Sequence, residues 1–153
     1  MTAAPGNPEP VRSLALVGLG AIGILYAARI AARDSAALRV IADAERIARY
    51  KSDPPTFNGV RLALNYVTPE TPALPAELVL VAVKSTALQA VLPVIASVTG
   101  PRTQILPLLN GITAQDALAA AFGWPRVLHG FVYCESSMRT GSAVVQKGTA
   151  RIV

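Results

Sequence analysis

Three glycines near the start of the chain have the spacing of a phosphate-binding turn. A predicted strand over residues 13–17 runs into Gly18-Leu19-Gly20-Ala21-Ile22-Gly23, the pattern G-x-G-x-x-G, and a predicted helix follows. Gly18 would permit the tight turn, Gly20 would let the backbone approach a pyrophosphate, and Gly23 would let the helix pack closely on the sheet. The helix N-terminus would offer unpaired N–H groups to phosphates. The stretch predicts a dinucleotide-binding turn, although such a turn can also be purely structural.

Asp43 is a candidate contact for a ribose. It follows a predicted strand over residues 38–42 and lies 20 residues beyond Gly23. Dinucleotide-binding units often carry an acid at this distance, and its carboxylate accepts hydrogen bonds from ribose hydroxyls. Asp is also a favoured N-cap, so Asp43 would equally suit the start of the predicted helix 44–50. The two roles are compatible.

Polar residues also follow two later apolar runs. Lys84 ends the run 78–83, which resembles a strand covered on both faces, and Asn110 ends the run 103–109. An ammonium pairs with carboxylates or phosphates, and an amide both donates and accepts hydrogen bonds. The alternatives are a Lys84 that simply reaches water and an Asn110 in an ordinary Asn-Gly turn. Ser136 is a candidate by topology alone.

Strand and helix signals alternate along the chain, which predicts one α/β domain with a Rossmann-like, doubly wound, mostly parallel sheet of about six or more strands. Pro93 predicts a kink or two short helices within 85–98, and Pro107 predicts a bulge or an early end to pairing. Ligands of such sheets bind at the carboxyl ends of the strands, where the candidate residues above lie. The predicted helices are 21–33, 44–50, 85–98 and 113–122, and the predicted strands are 13–17, 38–42, 78–83, 103–109, 126–134 and a terminal hairpin of 142–146 with 149–153 around Lys147-Gly148. The alternating segment 60–66 is predicted to form a strand at the sheet edge or a small hairpin.

Composition limits the classes of protein to which the chain can belong. With 153 residues, of which 52% are hydrophobic and 15% charged, it has the size of one domain with a sizeable core. No apolar run is long enough for a membrane span. Residues 1–11 are a predicted flexible leader without the apolar region of a signal peptide. We therefore expect a cytoplasmic protein with a folded domain over 12–153 and no membrane partner.

The net charge of +5 comes from arginines spread along the sequence rather than from a run. Nucleic-acid binding needs a clustered basic stripe with interleaved aromatic residues, so the pattern favours an anionic small molecule instead. Cys134 is the only cysteine, which excludes an intramolecular disulfide and a cysteine-based metal cluster and favours a buried, inert thiol. His129 is the only histidine and is expected in the core or at a strand edge. No metal site is predicted.

The ordered set of Gly18–Gly23, Val83-Lys84 and Asn110-Gly111 resembles the N-terminal domain of ketopantoate reductases, also called 2-dehydropantoate 2-reductases. The resemblance covers nearly the whole chain from residue 12 to 153. It implies NADPH-dependent reduction of a 2-keto acid to a 2-hydroxy acid on the route to pantothenate. By the same resemblance, the glycine turn would hold the pyrophosphate, and Lys84 and Asn110 would lie beside the nicotinamide ribose and the substrate.

The chain departs from that family in two respects. The resemblance implies a helical C-terminal domain that supplies a catalytic lysine and a glutamate, and the sequence stops before such a region. We therefore expect cofactor binding with little or no turnover, and either a homo-oligomer or a missing domain that covers apolar surface. Secondly, Asp43 suits NAD and would repel the 2′-phosphate of NADP, whereas Arg46 and Arg49 are near enough in sequence to neutralise it. NADP is the expected cofactor and NAD the alternative.

Two other interpretations stay open. Another Rossmann-type hydroxy-acid dehydrogenase would share the glycine turn, but it would usually lack the pairing of Val83-Lys84 with Asn110-Gly111. A stand-alone regulatory module would bind NAD(P) and pass the signal to a partner.

Overall fold

A computed structural model of the chain describes residues 10–109 and 113–153. Within these ranges, strands and helices alternate up to residue 122, apart from a run of four strands over residues 56–81, and two long strands follow. The elements are β1 (Leu14–Val17), α1 (Ala21–Asp34), β2 (Leu38–Ile41), α2 (Ala44–Ser52), β3 (Thr56–Phe57), β4 (Val60–Arg61), β5 (Asn65–Val67), β6 (Leu78–Val81), α3 (Leu88–Ala96), β7 (Gln104–Pro107), α4 (Thr113–Phe122), β8 (Val132–Thr140) and β9 (Ala143–Ile152), with 3₁₀ turns at Ser85–Ala87 and Trp124–Arg126.

Five parallel strands form the central sheet in the order β5-β2-β1-β6-β7. Leu14 of β1 is level with Leu38 of β2 on one side and with Leu78 of β6 on the other. The chain thus leaves β1 toward one edge of the sheet and later returns to its other side. This reversal beside β1 is the switch point at which doubly wound sheets bind ligands.

Both faces of the central sheet are covered by other elements. Neighbouring residues of a strand point to opposite faces, so they pack in different clusters. Val79 and Val81 of β6 pack in the cluster that includes α3 and α4, whereas Leu80 packs in the cluster that includes α1. All three side chains are at most 2% exposed. A strand buried on both faces has to be apolar throughout, as the run 78–83 is. The predicted α/β fold with a doubly wound, mostly parallel sheet is confirmed. Among the described residues this sheet has five strands rather than the predicted six or more, because β8 and β9 belong to a second sheet.

A second sheet covers the outer side of α1. Its strand order is β4-β3-β9-β8, with β3 parallel to β9 and the other neighbours antiparallel. Val144 and Ala150 of β9 are buried in the same cluster as Ile24 and Leu25 of α1. The first half of α1 is therefore apolar nearly all round, as expected for a helix with a sheet on either side.

Residues 60–66, predicted as a strand at the sheet edge or a small hairpin, contribute to both kinds of element. Asn58 and Gly59 adopt positive φ angles of 48° and 81° and close a hairpin of β3 and β4, which belongs to the second sheet. The chain then crosses to the central sheet, where Asn65–Val67 pairs with β2. The alternating pattern was real, but it spanned two strands of different sheets.

The predicted terminal hairpin around Lys147-Gly148 is wrong. Residues 143–152 form one strand, and the turn that joins it to β8 lies at Gly141-Ser142. The positive φ of 72° at Gly148 belongs to a bulge opposite Glu135, whose Oε2 accepts a hydrogen bond from the Thr149 N–H at 2.9 Å. A Gly with positive φ serves a bulge as well as a turn, so the local sequence did not distinguish the two.

Three further boundaries concern prolines and the start of β8. Pro107 is the last residue of β7, so the predicted early end of pairing is confirmed. Pro93 lies inside α3, and the division into two helical pieces falls before Leu88 instead. The strand predicted over 126–134 begins only at Val132, because a 3₁₀ turn precedes it and a single bridge at Val127 touches β7.

Candidate functional site

A cavity of about 890 Å³ opens at the carboxyl ends of β1, β2 and β6. This volume is in the range that holds a small-molecule ligand. The wall combines the glycine turn, the start of α2, the segment after β6 and one side chain from the second sheet. Its charged and polar members are Asp43, Arg46, Arg49, Tyr50, Lys84, Ser85, Thr86 and Arg139.

Two of the three turn glycines are required by the fold itself. Gly18 has a φ of 101°, and a Cβ atom there would lie 2.7 Å from the Ala82 carbonyl oxygen. A Cβ atom at Gly23 would overlap the carbonyl oxygen of Gly18, so only glycine lets α1 pack this closely on the turn. The tight turn and the close packing expected of these two positions are both present.

Gly20 differs from its neighbours, because the protein does not need a glycine there. Its φ of −77° and ψ of −169° are open to any residue, and a Cβ atom would be 3.7 Å from the Ala82 carbonyl oxygen, an ordinary contact. The missing side chain instead leaves the backbone exposed to the cavity. That is what a ligand needs when it approaches the main chain closely.

The N-terminus of α1 meets the cavity without a side-chain cap. Gly20 is the N-cap residue, and its carbonyl accepts the first helical hydrogen bond from Ile24 at 2.9 Å. No acidic residue lies in the first turn. The first N–H groups of a helix have no partner within it and carry a partial positive charge, so this helix end attracts an anion.

Asp43 and Arg46 interact twice at the start of α2. Asp43 is the N-cap, and its Oδ1 accepts a hydrogen bond from the Arg46 N–H at 2.7 Å. Its Oδ2 also lies 3.1 Å from Arg46 Nη1, with both side chains 52% exposed. The cap contributes about 1 kcal/mol to stability and an exposed ion pair no more than about 1 kcal/mol. The larger effect of Arg46 is that it offsets the negative charge of Asp43 on the cavity wall.

Arg49 and Tyr50 continue the same face of α2, since they lie three and four residues after Arg46. The Arg49 guanidinium is 6.0 Å from the Tyr50 ring centroid, and Tyr50 stacks on Tyr66 with centroids 5.6 Å apart. Burial of the Tyr66 hydroxyl raises its pKa above 10.0. Tyr50 was not among the predicted site residues, although its helical spacing from Arg46 indicates that both lie on one face of α2.

Lys84 lies at the opposite side of the cavity. It is exposed, lies three residues after the end of β6 and caps the 3₁₀ turn that follows, where its carbonyl accepts the Ala87 N–H at 2.9 Å. The cavity thus brings together Lys84, the glycine turn, Asp43 and Arg46. Asn110 lies outside the described residues. Ser136 is exposed in β8, pairs with Lys147 and is not part of the cavity wall.

Arg139 reaches the cavity from the second sheet. Its Nη1 donates a hydrogen bond to the Leu19 carbonyl at 3.0 Å, across 120 positions of sequence, and its Nε donates to the Gly141 carbonyl at 2.8 Å. Sequence reasoning missed this residue. No local motif marks it, and its position depends on how β8 and β9 pair.

The charged side chains of the cavity wall are four cations and one carboxylate, namely Arg46, Arg49, Lys84, Arg139 and Asp43. Together with the α1 N-terminus, they favour an extended anionic ligand over a neutral or cationic one. No helix within 10–109 and 113–153 has both the length and the apolar character required to cross a membrane.

Residues 14–153 match the model of the family described as "Ketopantoate reductase PanE/ApbA". No curated protein matches the chain. Among solved structures, the 2-dehydropantoate 2-reductase from Geobacter metallireducens GS-15 is 27% identical, with a TM-score of 0.72, and the match covers 92% of this chain and 48% of that one.

Two further solved structures share the fold at lower identity. A ternary structure of D-mandelate dehydrogenase with NADH and anilino(oxo)acetate is 22% identical, with a TM-score of 0.75, over 92% of this chain and 47% of that one. The 2-dehydropantoate 2-reductase from Methylococcus capsulatus is 20% identical, with a TM-score of 0.72, over 92% and 47%. The chain therefore spans about half the length of the structures that it matches.

Proposed function

Since the chain belongs to the ketopantoate reductase family, we propose that it binds NADPH and serves the reduction of a 2-keto acid, ketopantoate, to the 2-hydroxy acid on the route to pantothenate. The observation that carries the proposal is the uncapped N-terminus of α1 behind Gly20, at the switch point of a parallel sheet. Packing accounts for the absence of a side chain at Gly18 and Gly23, whereas the close approach of a ligand would account for it at Gly20. Backbone N–H groups there would hold the pyrophosphate.

The face of α2 would take the adenosine ribose and its 2′-phosphate. Asp43 alone suits the two hydroxyls of NADH, but Arg46 offsets that carboxylate at 3.1 Å and Arg49 adds a further positive charge. The balance of the three side chains is one net positive charge, which favours a phosphate over a neutral hydroxyl. We therefore propose NADPH as the preferred form and NADH as the alternative.

Lys84 would serve the opposite end of the ligand. A bound nicotinamide would supply the hydride for reduction of the keto carbon. The Lys84 ammonium would pair with the carboxylate of the substrate or with a ribose hydroxyl, which holds the reacting groups in order. By the family resemblance Asn110 would act beside it. The chain spans about half the length of its structural relatives. We therefore propose that these 153 residues bind the dinucleotide with little turnover of their own.

The test is a titration of the chain with NADPH and with NADH, followed by the fluorescence of the nicotinamide. We expect both to bind, with NADPH about tenfold tighter. Tighter binding of NADH would overturn the choice of cofactor, and binding of neither would overturn the proposed function.

A second 2-keto acid is the alternative substrate, because D-mandelate dehydrogenase shares this fold at 22% identity and a TM-score of 0.75. A substrate with a phenyl group in place of the branched alkyl group of ketopantoate is therefore the second candidate. Turnover assays of the complete gene product with both acids would decide between them. A higher kcat/KM for the phenyl acid would replace ketopantoate as the proposed substrate.

A further inference from the structure

Arg139 connects the second sheet to the glycine turn. Its backbone lies in the β8/β9 ladder opposite Val144, which is 0% exposed and packs in the cluster around α1. The side chain then crosses to the Leu19 carbonyl at 3.0 Å. Leu19 is the residue between the first two glycines of the turn. The position of Arg139 in β8 is therefore fixed, and its guanidinium lies at the edge of the glycine turn.

The contacts of Arg139 found in the described residues do not neutralise its positive charge. A guanidinium has five N–H donors, and here two of them meet carbonyl oxygens, those of Leu19 and Gly141. Both acceptors are neutral. The ion pair identified in the described part of the chain joins Asp43 and Arg46 instead. Arg139 thus keeps its positive charge and three donors beside a helix end that is itself positive.

Two like charges at one place are unfavourable unless an anion lies between them. We propose that Arg139 contacts the pyrophosphate of the bound dinucleotide and holds it against the glycine turn, so that the second sheet forms one wall of the cofactor site. This proposal rests on the proposed function. The planar fork of Arg suits phosphate oxygens better than a point charge does, and the hydrogen bonds to Leu19 and Gly141 orient it before the ligand arrives.

The proposal separates the role of Arg139 from that of Arg46 and Arg49. The pyrophosphate is identical in NADH and NADPH, whereas the 2′-phosphate is present only in NADPH. Loss of Arg139 should therefore weaken binding of both dinucleotides by the same factor. Loss of Arg46 or Arg49 should weaken binding of NADPH more.

The experiment compares the unaltered chain with Arg139→Gln, Arg139→Lys and the control Arg151→Gln in titrations with NADH and NADPH. Arg151 lies in β9 over the Tyr133 ring at 5.6 Å and is not part of the cavity wall. We expect Arg139→Gln to raise both Kd values about 10- to 100-fold, the range for a charge-assisted hydrogen bond. Arg139→Lys should retain part of the affinity, and Arg151→Gln should leave it unchanged.

A structural role would give a different result. If Arg139 only fastens the second sheet to the turn, Arg139→Gln and Arg139→Lys would lower the midpoint of thermal unfolding without ligand and leave both Kd values unchanged, which would overturn the proposal. A loss confined to NADPH would place Arg139 at the 2′-phosphate and also overturn it. Failure of the unaltered chain to bind either dinucleotide would overturn the proposed function and this proposal together.

Discussion

Gly23 packs against Gly18 so closely that a Cβ atom at position 23 would overlap the carbonyl oxygen of the earlier glycine. The contact joins the first turn of α1 to the loop that leaves β1. Backbone atoms cannot move aside to relieve such a contact, as the end of a flexible side chain can. The separation between helix and sheet is therefore set by a residue without a side chain.

Gly23→Ala should accordingly destabilise the fold. We expect the free energy of unfolding to fall by about 1–3 kcal/mol, the range for overpacking, because the new methyl group forces α1 away from the turn. Urea unfolding followed by circular dichroism measures the change. A loss below about 0.5 kcal/mol would show that the helix moves aside easily.

Gly20→Ala provides the contrast. Its Cβ atom would meet the Ala82 carbonyl oxygen at an ordinary 3.7 Å, so stability should change by no more than about 1 kcal/mol. The methyl group would instead occupy the path of a phosphate, and we expect NADPH affinity to fall at least tenfold. The same titration and unfolding experiments serve both glycine variants. Unchanged affinity in a folded Gly20→Ala variant would remove the argument for a ligand at this position.

Asp43→Asn tests the choice between the two dinucleotides. Asn remains a good N-cap, so α2 should keep its start, while the negative charge opposite the 2′-phosphate is lost. We expect the ratio of NADPH to NADH affinity to rise about tenfold. Arg49→Gln should lower the same ratio, and Arg102→Gln, an exposed residue beyond the cavity wall, is the control. A ratio that is insensitive to both changes would place the 2′-phosphate elsewhere.

The buried hydroxyls of Tyr26 and Tyr66 should make the free energy of unfolding depend on alkaline pH. Burial raises the pKa of each hydroxyl above 10.0. The unfolded chain therefore releases these protons at lower pH than the folded chain does. Below pH 10 the two states bind them equally, and as pH rises above that value the free energy of unfolding falls. Unfolding measured between pH 8 and about pH 11 should show the decline, and Tyr26→Phe should reduce its slope.

Tyr26→Phe should also raise stability at neutral pH. The hydroxyl oxygen is buried without a hydrogen-bond partner among the described residues, and such a group costs about 1–3 kcal/mol. Removing it keeps the ring and its packing in the hydrophobic cluster between α1 and the two sheets. A lower free energy of unfolding for this variant would indicate a bound water or another partner for the hydroxyl.

Thr103→Val should be destabilising, although the two side chains have the same shape. The buried Thr103 hydroxyl donates to the Ala76 carbonyl at 2.6 Å and accepts the Gly100 N–H at 2.8 Å. Valine would leave both backbone groups without that partner, at a cost of about 1–3 kcal/mol. Thr103→Ser keeps the hydroxyl and should retain most of the lost stability. A Thr103→Val variant as stable as the unaltered chain would contradict the role of the hydroxyl.

What could be predicted from sequence was local in the chain. The glycine turn, the Asp43 cap and the strand that ends before Lys84 each depend on fewer than about ten neighbouring residues, because periodicity and capping act at that range. Their gathering around one cavity followed from the general rule for parallel sheets. Their binding roles stay predictions.

The second sheet could not be predicted in the same way. Apolar and polar residues alternate in the segment 60–66 as in one strand, but no local feature indicates that the segment contributes to two sheets. The Gly148 bulge depends on Glu135, and the place of Arg139 depends on a pairing register that is fixed by burial against α1. Such long-range choices are made by packing, which local propensity does not encode.

A helix enclosed by two sheets has little freedom to move. The end of α1 that faces the cavity is thus held in place before any ligand arrives, and so is the Leu19 carbonyl that meets Arg139. Preorganisation of this kind spares the ordering entropy that a mobile loop would lose on binding. Association should then approach the rate of a rigid encounter, without a slow conformational step.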